Sequence, residues 1–153
     1  MLSSTNQVVS EREHAKDQFT PQVPDYRVNN YLGKGAFGYV LEAGDRTTGK
    51  KYAWKRSVKV TNNMSREIEV LVLMRSSPNV IRVENFFFSR NHADQIVQNI
   101  ILEIGESDVE KYLYTVRKGN PLSLNEAKQL MRPIISGVRD LHAQGICHRD
   151  LKP

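Results

Sequence analysis

The chain has 153 residues, 39% of them hydrophobic and 25% charged, which is the size and balance of one globular domain with its own core. Its longest apolar runs, Val70–Met74 and Phe86–Phe88, fall far short of the roughly eighteen residues that a membrane helix needs, so no membrane span is expected. The net charge of +5 comes from dispersed Lys and Arg without a long basic run, and a solvated surface plus an anionic small ligand explains it without nucleic acid.

Residues 1–25 are polar, carry both charge signs and close on "TPQVPD", whose two prolines oppose regular structure, so a disordered tail is expected. The tail holds no apolar stretch of signal-peptide length, and the single cysteine, Cys147, permits no internal disulfide. Both features point to an intracellular protein, in cytoplasm or nucleus. From Tyr26 the segment "YRVNNYLGKGAFGYVLEAGDRTTGKKYAWKRSVKV" is rich in β-branched and aromatic residues and is broken at "DRTTGK", which predicts two or three antiparallel strands. Asn62 or Asn63 can then cap a helix through "MSREIEVLVLMR", with Ile68, Leu71 and Val72 at helical spacing. The runs "NVIRVENFFFS" and "IVQNIILEI" predict two more strands, joined by the loop "RNHADQ".

After Gly105 the pattern turns helical. "SDVEKYLYTVRK" reads as a short amphipathic helix. "SLNEAKQLMRPIISGVRDLHAQG" reads as a longer one, opened by Ser123 and Glu126 in capping-box spacing and closed by Gly145. Leu130, Ile134, Val138 and Leu141 line one face, widened by Met131 and Ile135, so the helix expects a partner surface. Pro133 removes one backbone hydrogen bond inside it, at roughly 3 kcal/mol unless context relieves the clash.

Four motifs carry chemistry. In "GKGAFGYV", Gly33 to Val40, glycines let backbone approach a phosphate closely, and free N–H groups in such a turn face the anion. A tight hairpin without a ligand is the other reading, and a dinucleotide site is disfavoured because a strand, not a helix, follows. In "YAWK", alternation puts Ala53 and Lys55 on one face and Tyr52, Trp54 and Arg56 on the other, so an ammonium stands beside a residue small enough to admit a flat ring. Glu67 lies near the start of the next helix and can pair with Lys55, whereas Glu69 points to another side. In "HRDLKP", Asp150 can accept a hydroxyl proton or orient the hydroxyl, Lys152 can neutralise charge on a transferring phosphoryl group, and His148 has an architectural role.

With "GKGAFGYV", "YAWK", "SREIEVL" and "HRDLKP" in register, the chain from Tyr26 to Pro153 resembles a eukaryotic protein kinase, and Lys152 two places after Asp150 resembles the Ser/Thr-specific class. The short spacing from Lys55 to Glu67, Arg66 before it, "FFFS", "NIILEI" and "GICHRD" are similar to the glycogen synthase kinase 3 (shaggy-like) branch. The resemblance implies an α+β fold, with an N-lobe at 26–103 made of about five antiparallel strands and one helix, and the start of a helical C-lobe at 104–153. It implies ATP held by the loop residues Gly33, Lys34, Gly35, Ala36, Phe37 and Gly38 and by the Lys55–Glu67 pair. Leu32, Val40 and Ala53 would enclose the adenine, Leu102 would be the gatekeeper, and the backbone of Glu103 and Gly105 would meet the adenine edge. Arg66 and Arg149 would help hold a phosphate already present on a protein substrate bearing Ser or Thr.

Two departures stand out. Trp54 replaces the usual aliphatic residue between Ala and Lys, and alternation turns it away from the nucleotide, so altered packing is expected. These 153 residues contain no "DFG", no "APE" and no Asn after the catalytic loop, so the family's ligands for Mg²⁺ are not among them. An incomplete Ser/Thr kinase, inactive in isolation, is the first expectation. A non-catalytic module that docks a scaffold or kinase partner through the open face of the long helix is the second.

Overall fold

The computed structural model describes residues 25–35, 38–60 and 63–152. Residues 1–24 of the expected tail, Ala36 and Phe37 of the glycine loop, the capping candidate Asn62, and Pro153 lie outside the described residues. Asp25, expected in the tail, belongs to the fold, since its carbonyl accepts from Arg46 N–H at 3.0 Å and its carboxylate pairs with Arg46 at 3.1 Å.

Strands β1 (Tyr26–Gly35), β2 (Gly38–Asp45), β3 (Lys51–Lys59), β4 (Val83–Arg90) and β5 (Ile96–Glu103) form one antiparallel sheet in the order β1-β2-β3-β5-β4. The expected turn between β2 and β3 forms because Asp45 Oδ1 accepts from the N–H groups of Thr47 and Thr48, each at 2.8 Å. Asn91 does the same for the loop before β5, accepting from Ala93 and Gln95. Helix α1 (Arg66–Leu73) is capped by Ser65, whose hydroxyl accepts from Ile68 N–H at 3.3 Å, rather than by Asn62 or Asn63. Asn and Ser are near-equal caps, so composition does not choose between them. Ile68 and Leu71 of α1 pack on Val83, Phe86, Ile100 and Leu102 of the sheet, with Ala53, Met64, Val72 and Phe88 around them. Ile68 and Ile100 are fully buried, each contributing about 2 kcal/mol by removal from water.

The segment expected as a short amphipathic helix is instead one α-helical turn, α2 (Val109–Lys111), which widens into a π-helical turn over Tyr112–Val116. Its end is tied down from outside, since Arg117 bonds both the Glu126 carboxylate at 2.7 Å and the Pro121 carbonyl at 2.9 Å. Helix α3 (Leu124–Ala143) then opens on the expected capping box, with Ser123 Oγ accepting from Glu126 N–H and Glu126 Oε2 accepting from Ser123 N–H. At its end Gly145 takes φ +68°, which lets Ile146 N–H reach Leu141 O at 3.0 Å and Gly145 N–H reach His142 O at 2.9 Å. Pro133 sits within the helix without ending it.

Helix α3 docks on the loop between α1 and β4. A Cβ at Gly137 would lie 2.6 Å from the Asn79 carbonyl oxygen, so glycine alone permits this approach. Ser77 Oγ donates to Asp140 Oδ2 at 2.7 Å, and Met74, Leu141 and Ile146 form a small second core with Val70 and Val80. The apolar face expected to stand open is therefore partly covered. Leu141 is buried and Leu130, Ile134 and Val138 are half-buried, while Met131 and Ile135 remain 46% and 61% exposed.

Gly137→Ala should destabilise the chain by about 1–3 kcal/mol through overpacking against main chain, read as a lower urea midpoint; an unchanged midpoint would refute the contact. The Ser77 hydroxyl, and then Arg139, hold the Asp140 carboxyl below the usual carboxylate range. A lowered native value adds stability above the ordinary Asp pKa of about 3.9, lost as pH falls through the native one. Wild type should consequently lose more stability between pH 7 and pH 3 than Ser77→Ala, as urea titrations at the two pH values would show.

Candidate active site

The glycine loop is the tip of the β1–β2 hairpin, paired as Gly33↔Val40, Lys34↔Tyr39 and Gly35↔Gly38. Its glycines do different work. At Gly38 a Cβ would fall 1.9 Å from the Arg56 carbonyl oxygen, so only glycine lets β2 enter against β3. At Gly33 and Gly35 a Cβ would meet nothing within 4 Å, so their backbone faces open space that a phosphate can enter.

β3 carries the two faces that alternation demands. Lys55 stands opposite Val40 on β2 and Ile100 on β5, and Ala53 stands opposite Glu42 and Leu102. Val40, Ala53, Lys55 and Leu102 therefore share the face on which α1 packs. Lys55 Nζ pairs with Glu67 Oε1 at 2.5 Å, in the first turn of α1, with the two side chains 32% and 39% exposed. Glu69 turns elsewhere and pairs with Arg66 at 3.3 Å. A cleft of about 370 Å³ opens beside the Lys55–Glu67 pair, lined by Ser57, Lys59, Ser65 and Gln98, toward the end of β3 remote from Ala53.

Val40 and Ala53 are half-buried and Leu102 is 8% exposed, which makes an apolar surface beside the ammonium; Leu32, on β1, is 48% exposed. At the end of β5 the Glu103 N–H donates to Arg82 O at 3.0 Å and its carboxylate accepts from Arg82 N–H at 2.8 Å, which secures the strand end just before the exposed Gly105.

The His148–Lys152 segment follows the Gly145 turn. Asp150 N–H donates to His148 Nδ1 at 3.2 Å, and Asp150 Oδ2 pairs with Lys152 Nζ at 3.2 Å, both side chains about three-quarters exposed. Arg149 between them adopts φ +66°, a left-handed conformation uncommon for a non-glycine residue. The structure thus gathers the predicted residues into two groups. One is the glycine hairpin with Lys55, Glu67, Val40, Ala53 and Leu102, and the other is Asp150 with Lys152. Among the described residues no hydrogen bond or ion pair joins the groups, and Arg66 pairs with Glu69 rather than with either group. Sequence reasoning missed Asn99, buried behind Lys55; its signal was a polar residue in the apolar run "IVQNIILEI".

A five-stranded sheet with a glycine hairpin, a strand lysine paired to the one helix across it, and an His-Arg-Asp segment after a long helix together define a protein kinase catalytic domain. The chain belongs to the protein kinase domain family, which matches residues 26–153. It is 34% identical over 132 residues to a probable myosin light chain kinase of Dictyostelium discoideum, covering 84% of this chain and 40% of that protein. It is 29% identical over 157 residues to the Saccharomyces cerevisiae serine/threonine-protein kinase RIM11/MSD1, covering 97% and 42%. It is 27% identical over 147 residues to the Schizosaccharomyces pombe protein kinase gsk3, covering 93% and 38%. The chain thus spans about two fifths of the length of these relatives.

Because the Lys55–Glu67 pair is a third or more exposed, solvent screens most of its attraction. Glu67→Gln should change unfolding free energy by less than about 1 kcal/mol in a urea titration, and a loss several times larger would mean the pair is a structural rather than a positional device.

Proposed function

We propose that this chain is the nucleotide-gripping lobe and catalytic loop of a Ser/Thr protein kinase of the glycogen synthase kinase 3 branch. The observation that carries the reading is the Lys55–Glu67 pair on the same sheet face as Val40, Ala53 and Leu102, under a hairpin whose Gly33 and Gly35 face open space. The adenine lies between Leu32, Val40, Ala53 and Leu102, with its edge on the backbone of Glu103 and Gly105. The N–H groups of Gly33, Lys34, Gly35 and Gly38 and the Lys55 ammonium face the phosphates.

A substrate Ser or Thr oxygen forms the new bond to the γ-phosphorus, the bond to the bridging oxygen breaks to leave ADP, and Asp150 accepts the hydroxyl proton. Lys152 offsets charge on the moving group. Arg66 and Arg149, both exposed, offer guanidinium groups to a phosphate already on the substrate. Mg²⁺ supplies charge neutralisation between the β- and γ-phosphates in such chemistry. Among the described residues no three His, Cys, Asp or Glu side chains gather as a metal site. Exposure of Leu124, Met131 and Ile135 on α3 supports the second reading, a module that docks a partner through this helix.

The test is ATP titration of the purified 153-residue chain, followed by a phosphoryl-transfer assay on Ser/Thr peptides. Weak ATP binding that Lys55→Met lowers at least tenfold, with negligible transfer, is the expected result. A folded chain that binds no ATP would leave the docking module, and magnesium-dependent transfer abolished by Asp150→Asn would show the chain active by itself.

A further inference from the structure

Lys55 is flanked on its strand by two side chains that turn the other way and reach the same atom. Trp54 Nε1 and Arg56 Nε each donate to Oδ1 of Asn99, both at 3.0 Å. Asn99 lies on β5 opposite Arg56 and is completely buried. Its Nδ2 donates to Ser89 Oγ and Val97 O, each at 3.0 Å, and to Phe87 O at 3.3 Å. One carboxamide thus uses both acceptor sites and both donors, and ties β3, β4 and β5 together.

The network reaches the glycine hairpin as well. The Arg56 guanidinium lies over the Tyr39 ring of β2, 5.7 Å from its centroid, and over the Trp54 ring at 5.3 Å. Gly38, next to Tyr39, is the residue at which a Cβ would fall 1.9 Å from the Arg56 carbonyl oxygen.

A buried Asn adds little net stability over an apolar residue of similar size, because its hydrogen bonds mainly offset its own desolvation. What it adds is direction. With residues 54 and 56 held by one oxygen, β3 cannot roll about its axis at residue 55 without breaking both bonds. We propose that Asn99 is a positioning residue for Lys55, fixing the roll of β3 so that the ammonium points at Glu67 and at the phosphates of a bound nucleotide. The inference rests on the nucleotide-binding reading above.

The experiment measures the ATP dissociation constant of the 153-residue chain well below its unfolding midpoint, for wild type, Asn99→Leu, Lys55→Met and the double variant. Asn99→Leu should retain cooperative unfolding and weaken ATP binding about tenfold. In the Lys55→Met background the same change should cost less than about twofold, because the group it aims is gone. Should Asn99→Leu fail to fold, Trp54→Phe keeps a ring and deletes one N–H. It should weaken ATP about threefold with the same lack of additivity.

A purely structural role would lower the unfolding midpoint and leave the dissociation constant unchanged, or give equal losses in both backgrounds, and either result overturns the inference. If the folded wild type binds no ATP, the nucleotide reading falls and takes this inference with it. If wild type binds and the variants match it, this inference alone falls.

Discussion

The antiparallel register of β3, held between β2 and β5, is the constraint on which the rest of the structure depends. Val40, Lys55 and Ile100 form one row across the sheet, and Tyr39, Arg56 and Asn99 form the next. Successive rows face opposite ways, so one side of the sheet receives α1 and the ammonium while the other receives Trp54, Arg56 and their carboxamide hub. A slip of one residue would exchange the two sets and place Trp54 under the helix. Gly38 permits this register from the β2 side, because a Cβ there would fall 1.9 Å from the Arg56 carbonyl oxygen.

The division of labour across the sheet has an electrostatic logic. The Lys55–Glu67 pair keeps a third or more of its surface in water, so neither charge bears the full penalty of burial. Asn99 behind it is fully buried, yet both its Oδ1 and its Nδ2 have partners, so its low-dielectric setting strengthens rather than penalises those bonds. Asp150 and Lys152 follow the Lys55–Glu67 pattern, open to solvent at the far end of the helical half.

How much of this was legible in the sequence depended on the range of the interaction. Alternation in "YAWK" is a local property, and it placed Lys55 and Trp54 on opposite faces, as the structure has them. The capping box at Ser123 and the Gly145 stop are equally local and appear where expected. Ser65 in place of Asn62 or Asn63 was not legible, because residues of near-equal capping strength stood within a few places of one another. The π turn at Tyr112–Val116 was hidden for a different reason: helical periodicity does not distinguish an i→i+5 turn from an α-helical one. The Asn99 hub required the β3–β5 register and the two-residue flank of Lys55 together, which no window along the chain contains. Among candidate site residues, the pairing of Lys55 with Glu67 was readable from spacing, whereas the separation of the Asp150 group from it was not.

The contact of Gly137 with the Asn79 carbonyl sets main chain against main chain. Side chains change rotamer and are exchanged in evolution, but two peptide backbones in contact have nothing left to repack. The distance between the sheet-bearing half and the helical half at this point is thus a hard stop, independent of which aliphatic residues surround it. Met74, Leu141 and Ile146 can repack around an exchange in this joint, whereas any side chain at residue 137 must displace main chain.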